Sequence, residues 1–157
     1  MPEAAQLASK LQSEGEKFSE FFSGLNEDQW STEVYAEGSV WTIRSILAHL
    51  MTAERAFVRL FEEIRRGGEG VSEDFEIDRY NARQQEKTRD QAPAELLEQY
   101  RSVRAQMVTW VSGLQDAELE CRGRHPFLGE TTLREMIKLI YIHNQTHYRD
   151  IRRVTKG

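Results

Sequence analysis

Apolar residues recur along this chain at the spacing of a helix face, and nowhere with a sustained β alternation. Leu7, Leu11, Phe18, Phe22 and Leu25 form one such stripe, broken by "GLNEDQW" and a loop through "YAEGSV". The next periodic segment, "WTIRSILAHLMTAERAFVRLFEEIRR", opens with Thr42 as N-cap and with Trp41 placed to staple onto Ile46. Ile43, Ile46, Leu47, Leu50, Ala53, Phe57, Phe61 and Ile64 make its buried stripe, and "GGEG" at 67–70 ends it.

A shorter, polar helix is expected across "SEDFEIDRYNARQQEKT", anchored by Phe75, Ile77 and Tyr80. Pro93 and Glu95 suit the first turn of the helix that follows, which carries Leu96, Leu97, Tyr100, Val103, Met107, Trp110, Val111 and Leu114. Residues 115–131 read as the longest irregular connection. In the last segment Thr132 as N-cap and Glu135 three residues later make a capping box. It precedes a face of Leu133, Met136, Ile137, Ile140, Tyr141, Tyr148, Ile151 and Val154. Four long helices and one short one, each with an apolar face to bury, predict an all-α four-helix bundle with one additional short helix. A single domain over residues 1–157 is expected.

Composition fits that picture. The 157 residues are 39% hydrophobic and 30% charged, the mixture of a globular protein with solvated outer faces. The one cysteine, Cys121, has no intramolecular partner for a disulfide, so a reducing cytoplasm is the expected location. The first residues carry charges throughout and predict no secretory leader, and no stretch is apolar enough to predict a membrane span. A net charge of -5 argues against a nucleic-acid partner. The basic runs "IRR" at 64–66 and 151–153 fall at helix C-termini, where they complement the dipole.

The chemistry lies in the histidines. "HNQTH" at 143–147 has the spacing of the zinc-protease signature H-E-x-x-H, with Asn144 where the general base would stand. An amide cannot take a proton, and position 153, where the extended signature needs a third histidine, is Arg153. Protease chemistry is therefore excluded. At about 100° per residue, His143 and His147 lie roughly 40° apart on the wheel and one turn apart along the axis. Both fall within the stripe of Met136, Ile140 and Ile151, so both imidazoles are expected to point into the bundle. One inward histidine is ordinarily a core residue with hydrogen-bond partners. Two at i and i+4 on an apolar face need several partners or a shared cation.

His49 lies on the flank of the second stripe, where an antiparallel neighbour can bring it to the same depth. Three neutral imidazoles from two helices suit Zn²⁺, Ni²⁺ or Fe²⁺ and leave coordination positions free, as catalytic metals have. His125, before Pro126 in a glycine-containing loop, is expected to be exposed, or else to lie over the mouth of the site. Cys121 is expected to be incidental. Glu54, Asp150, Tyr141 and Tyr148 are candidate acid–base or supporting groups, with Asp150 placed to orient an imidazole N–H of His147.

"VWTIRSILAHLMTAE" (40–54), "DRYNARQ" (78–84) and "LREMIKLIYIHNQTHYRDI" (133–151), in this order, resemble the DinB-like (DinB/YfiT) superfamily of metalloenzymes. The resemblance implies a four-helix bundle, a homodimer, and a divalent metal held by His49, His143 and His147. It also implies transferase or isomerase chemistry with a low-molecular-weight thiol such as bacillithiol, mycothiol or glutathione. The leading expectation is thus a metal-dependent enzyme, a thiol-dependent transferase or a hydrolase acting on a small-molecule substrate, with no nucleic-acid and no membrane partner. Two alternatives stay open: a non-catalytic metal- or small-molecule-binding bundle serving resistance or sequestration, and a helical dimer with satisfied core histidines.

Overall fold

The computed structural model describes residues 2–155. Its helices are α1 (Glu3–Ser23), α2 (Ile43–Arg65), the short α3 (Ile77–Lys87), α4 (Pro93–Ser112) and α5 (Leu133–Thr155). α1, α2, α4 and α5 form a four-helix bundle in which α1 and α2 each pack on both α4 and α5. Local signals behave as expected. The Thr42 hydroxyl accepts from the Ser45 N–H to cap α2, Pro93 opens α4, and the Thr132 hydroxyl accepts from the Glu135 N–H at the start of α5. Among the described residues no helix is long and apolar enough to cross a membrane.

The core is divided into two apolar clusters by a polar layer. One cluster contains Leu11, Phe61, Met107, Met136 and Ile140; the other contains Phe18, Phe22, Leu50, Leu97, Tyr100 and Ile151. Between them, on successive helices, lie Gly15, Glu54, Arg104 and Asn144. The Arg104 guanidinium donates to both Glu54 carboxylate oxygens (2.7 and 2.8 Å), to the Leu11 carbonyl (2.9 Å) and to Asn144 Oδ1 (2.9 Å). Tyr100 donates its hydroxyl to the same Asn144 oxygen at 2.7 Å. Both members of the ion pair are buried, at 5% and 2% side-chain exposure. Glycine at position 15 makes room for this side chain, since a Cβ there would stand 2.8 Å from Arg104 Cγ.

The structure departs from the periodic reading in the connections. Two short antiparallel hairpins stand where loops are expected: β1 (Glu33–Tyr35) with β2 (Trp41–Thr42), and β3 (Arg122–His125) with β4 (Gly129–Thr132). "RGRH" and "GETT" show no apolar alternation, because the buried positions of β3 are a glycine and a histidine, Gly123 and His125, and β4 buries no residue. Backbone bonds hold them. Arg124 donates its N–H to Glu69 and accepts from Val71 through its carbonyl (2.8 and 2.9 Å), so "GGEG" both ends α2 and receives the second hairpin. Gly70 has φ +94°, and a Cβ there would collide with the Arg124 backbone.

Three smaller departures concern single residues. Leu25 falls beyond the end of α1, and Val154 is 36% exposed because the last turn of α5 outruns its neighbours. α3 starts only at Ile77, with Phe75 and Ile77 each 37% exposed. α3 is docked on α2 by polar bonds instead: Gln85 donates to the Ser45 carbonyl, and the Arg44 guanidinium to the carbonyls of Thr88, Arg89 and Gln91.

Replacing Arg104 with Met strands the Glu54 carboxylate in the core. The loss of stability expected in urea unfolding is about 3–5 kcal/mol. The double variant Arg104→Met with Glu54→Leu should recover most of it, and a single variant as stable as the parent would show that the layer does not hold the bundle.

Candidate metal centre

His49, in the middle of α2, and His143 and His147, one turn apart on α5, bring their rings together. His49 Nε2 lies 3.3 Å from His143 Nε2, and His147 Nε2 lies 3.0 Å from that same atom. One ligand nitrogen from each ring falls within 4.8 Å of the others. Four ligands placed tetrahedrally at about 2.0–2.1 Å from a cation stand roughly 3.3 Å apart, close to the two separations made by His143. The rings meet edge to face, at 88°, 68° and 80° between planes. Trp41, the last residue but one before α2, sets its indole against the His49 ring at 5.0 Å.

All three imidazoles are held neutral. Burial, and then the neighbouring imidazoles, push His49 down to about 3 and His143 to about 4; burial also lowers His147, against the opposing pull of the Asp150 charge. Neutral rings are the ligand form. The tautomer of His147 follows from its partners. The Tyr35 hydroxyl, its pKa raised by burial and then by its bond to Asp150, donates to Asp150 Oδ2 at 2.5 Å. Its oxygen is left to accept from His147 Nδ1 at 3.0 Å. The His147 proton is therefore on Nδ1, and Nε2 presents its lone pair to the cluster.

Asp150 thus orients His147 as expected, but through Tyr35 and not by direct contact. Tyr35 had no signal in the sequence beyond an aromatic residue in a presumed loop, and only the β1–β2 pairing brings it across to α5. The other candidate groups lie elsewhere. Glu54 is committed to Arg104; Tyr141 sits beneath Lys10; Tyr148 packs on Phe18 and Phe21; half-buried Cys121 accepts at its carbonyl from the Leu133 N–H. Asn144 faces away from the histidines, its amide donating to the Ile140 carbonyl and its oxygen accepting from Tyr100 and Arg104.

His125 is not exposed. It is buried to 2%, because β3 tucks beneath the turn that follows it, and its ring stacks on Phe57 at 5.0 Å. Together with His49 and His143 it lines a cavity of about 330 Å³ whose wall also includes Phe57, Tyr80 and Phe127. No carboxylate, lysine or arginine is part of that wall. Acid–base chemistry in the cavity therefore rests on its histidines and Tyr80, or on a group that the histidines hold.

Comparison with known proteins places the geometry in context. The sequence profile of the DinB superfamily matches residues 10–151. YfiT from Bacillus subtilis, a probable metal-dependent hydrolase with an unusual four-helix bundle topology, superposes with a TM-score of 0.80 at 16% identity, over 98% of this chain and 86% of that one. The colibactin self-resistance protein ClbS, solved in complex with a dsDNA, matches at 0.73 and 14%, over 98% and 94% of the two chains. The mycothiol-dependent maleylpyruvate isomerase matches at 0.72 and 17%, over 96% of this chain and 61% of that one. No curated protein sequence matches significantly. At these identities the likeness establishes the fold.

The ClbS complex overturns one expectation, that nucleic acid is excluded as a partner. Net charge sums over the whole chain, whereas contacts are made by local patches. On this chain Arg149, Arg152 and Arg153 lie exposed together at the end of α5 despite the total of -5.

The depressed histidines have a consequence for stability. On acidification the unfolded chain takes up protons near 6.5, while His143 and His125 in the fold resist to about 4 and His49 to about 3. The unfolded state binds more protons across that window, so stability rises with pH there. Urea midpoints of metal-free protein should fall steadily from pH 6.5 towards pH 4, the ordinary value and the shifted value of His143. A midpoint that stays constant over that range would contradict neutral buried rings.

Proposed function

The chain belongs to the DinB superfamily, and on that premise we propose that it is a metal-dependent enzyme acting on a small apolar molecule in the cavity beside its histidine cluster. In this reading His49, His143 and His147 hold one divalent cation, Zn²⁺, Ni²⁺ or Fe²⁺, through their Nε2 atoms. The observation that carries it is the convergence of three neutral imidazoles, with nitrogens 3.0 and 3.3 Å apart, in and beside the wall of a largely apolar cavity. Ring-to-ring N–H···N bonds can satisfy two such nitrogens, but three Nε2 atoms converging on one point, with His147 Nδ1 already committed to Tyr35, favour a shared cation. A divalent cation held by these three residues would supply Lewis acidity beside the cavity.

The protein's own residues do the rest. Asp150 and Tyr35 fix the tautomer of His147, Trp41 packs on the His49 ring, and Phe57, Leu60 and Ile140 supply apolar wall beside the cluster. The wall has no carboxylate, and with His49 and His143 engaged as ligands a cation held there would supply the activation, of a low-molecular-weight thiol in a transferase or of water in a hydrolase. The mycothiol-dependent isomerase and the metal-dependent hydrolase on the same fold support either choice. A free Cys121 is compatible with the reducing cytoplasm such thiols require. The same cavity also favours a second reading, sequestration of an apolar molecule without turnover.

Metal analysis of protein prepared without a histidine tag tests the site. About one equivalent is expected, and His143→Ala should lose it; metal at background in the parent removes the reading. Tyr35→Phe should keep the bundle intact and weaken metal affinity about 10- to 100-fold. Turnover of electrophiles screened with candidate thiols separates enzyme from binder: the metal-loaded form should be faster, and equal rates with and without metal would sink the enzyme reading.

A further inference from the structure

Phe127 is the most exposed large apolar side chain among the described residues, at 73%, and yet it lines the cavity beside the histidine cluster. Phe75 and Ile77, at the start of α3, line the same cavity and are each 37% exposed. A residue that is both open to solvent and part of the wall stands at the mouth. Exposed apolar residues scattered singly need no explanation, but a group of them around one opening marks a binding surface.

The turn that carries Phe127 is held from below. His125 and Gly129 are the last pair of the β3–β4 hairpin, which leaves Pro126, Phe127 and Leu128 at its tip. The base of the hairpin is fixed on α2 and on the 69–71 segment. Gly123 packs so closely that a Cβ would stand 2.6 Å from Ile64 Cγ1, and Arg124 is bonded to the backbone of Glu69 and Val71. One side chain ties the tip to that base. His125 Nδ1 lies 3.0 Å from the Phe127 nitrogen and 3.1 Å from the Leu128 nitrogen. Backbone nitrogens donate, so Nδ1 accepts from both and the ring is neutral with its proton on Nε2. A bond from the backbone two positions on is the pattern by which asparagine and aspartate shape turns. The ring is itself buried to 2% and stacked on Phe57, which keeps the acceptor in place.

We infer that Phe127 is a specificity-determining residue that packs on a neutral apolar molecule at the mouth of the cavity, and that His125 is the positioning residue that holds the turn in the shape to present it. The inference deepens the proposed function and rests on it for the cavity being the binding site. No carboxylate, lysine or arginine stands in the wall, so a charged molecule would shed its hydration there without meeting a counter-charge. A neutral apolar one gains instead, because covering Phe127 removes from water a surface that the fold itself leaves exposed.

The probe is N-phenyl-1-naphthylamine, a neutral aromatic molecule whose fluorescence rises in apolar surroundings, titrated into the full-length protein. Phe127→Ala should bind it roughly three- to tenfold more weakly than the parent, as loss of one aromatic contact predicts. Leucine and asparagine have nearly the same shape, and at position 125 both remove the imidazole; only asparagine keeps an acceptor for the Phe127 N–H. His125→Leu should therefore lose as much affinity as Phe127→Ala, while His125→Asn stays within about twofold of the parent. The double variant His125→Leu with Phe127→Ala should bind no more weakly than either single one, since both remove the same contact. In the parent, the Phe127 and Leu128 amides should exchange with solvent more slowly than unstructured amides do.

Phe127→Ala binding like the parent, His125→Leu and His125→Asn binding alike, losses that add in the double variant, unprotected amides, or no binding by the parent would each overturn the inference. Exchange is read on the parent and the Phe127 ring is mostly exposed, so a His125→Leu variant that fails to fold leaves both of those tests standing. Metal analysis reads the histidine cluster separately. Probe affinity that falls in Phe127→Ala while the parent holds no metal defeats the metal site alone; one equivalent of metal with an affinity unmoved by Phe127→Ala defeats the role of Phe127 alone.

Discussion

The Arg104 guanidinium is the point on which the bundle closes. A buried charge of this kind is tolerated only when its donors are matched, and here they are matched by groups from the three other main helices: Glu54 on α2, the Leu11 carbonyl on α1 and Asn144 on α5. Apolar contacts above and below are non-directional and specify register less sharply. A bidentate ion pair specifies it closely. The layer therefore sets register more than it adds stability, and register is what the site needs. Glu54 lies five residues beyond His49, and Asn144 is next to His143, so fixing Arg104 fixes the relative depth of the histidines.

This accounts for the odd residue in "HNQTH". Successive helical positions are about 100° apart, so a residue beside a ligand faces another side of the helix. His143 and His147 look towards His49 on α2, His143 also lining the cavity, while Asn144 looks into the polar layer and holds Tyr100 and Arg104. The asparagine is not a protease glutamate that has lost its function. It belongs to the scaffold, and the segment carries ligand geometry on one side and bundle register on another.

The chemistry of the cavity depends on pieces outside the bundle. One hairpin delivers Tyr35 to His147, the other delivers His125 to the cavity wall, and α3 contributes Tyr80 and Asn81. The four main helices resemble those of a hydrolase, an isomerase and a resistance protein. Such sharing is expected when a fold supplies only the frame and the grafted segments shape the pocket. Differences among relatives should accordingly concentrate in connections such as 24–42, 66–76 and 113–132 of this chain.

What could be read from the sequence alone was whatever repeats with the period of a helix. The stripes of Ile46, Leu50 and Phe61 or of Met136, Ile140 and Ile151 state which faces are buried, and the caps at Thr42 and Thr132 state where helices begin. The same period put His143 and His147 on one inward face and His49 within reach. Tertiary structure decided the rest. That Glu54 pairs with Arg104, that Tyr35 reaches across to His147, and that His125 is buried with an unmet donor are all contacts between residues 50 to 112 positions apart or enforced by them. Periodicity records the side a residue faces on its own element. It carries no information about what another element brings to meet it, because backbone pairing in a hairpin and the choice of partner for a buried charge leave no periodic trace along the chain.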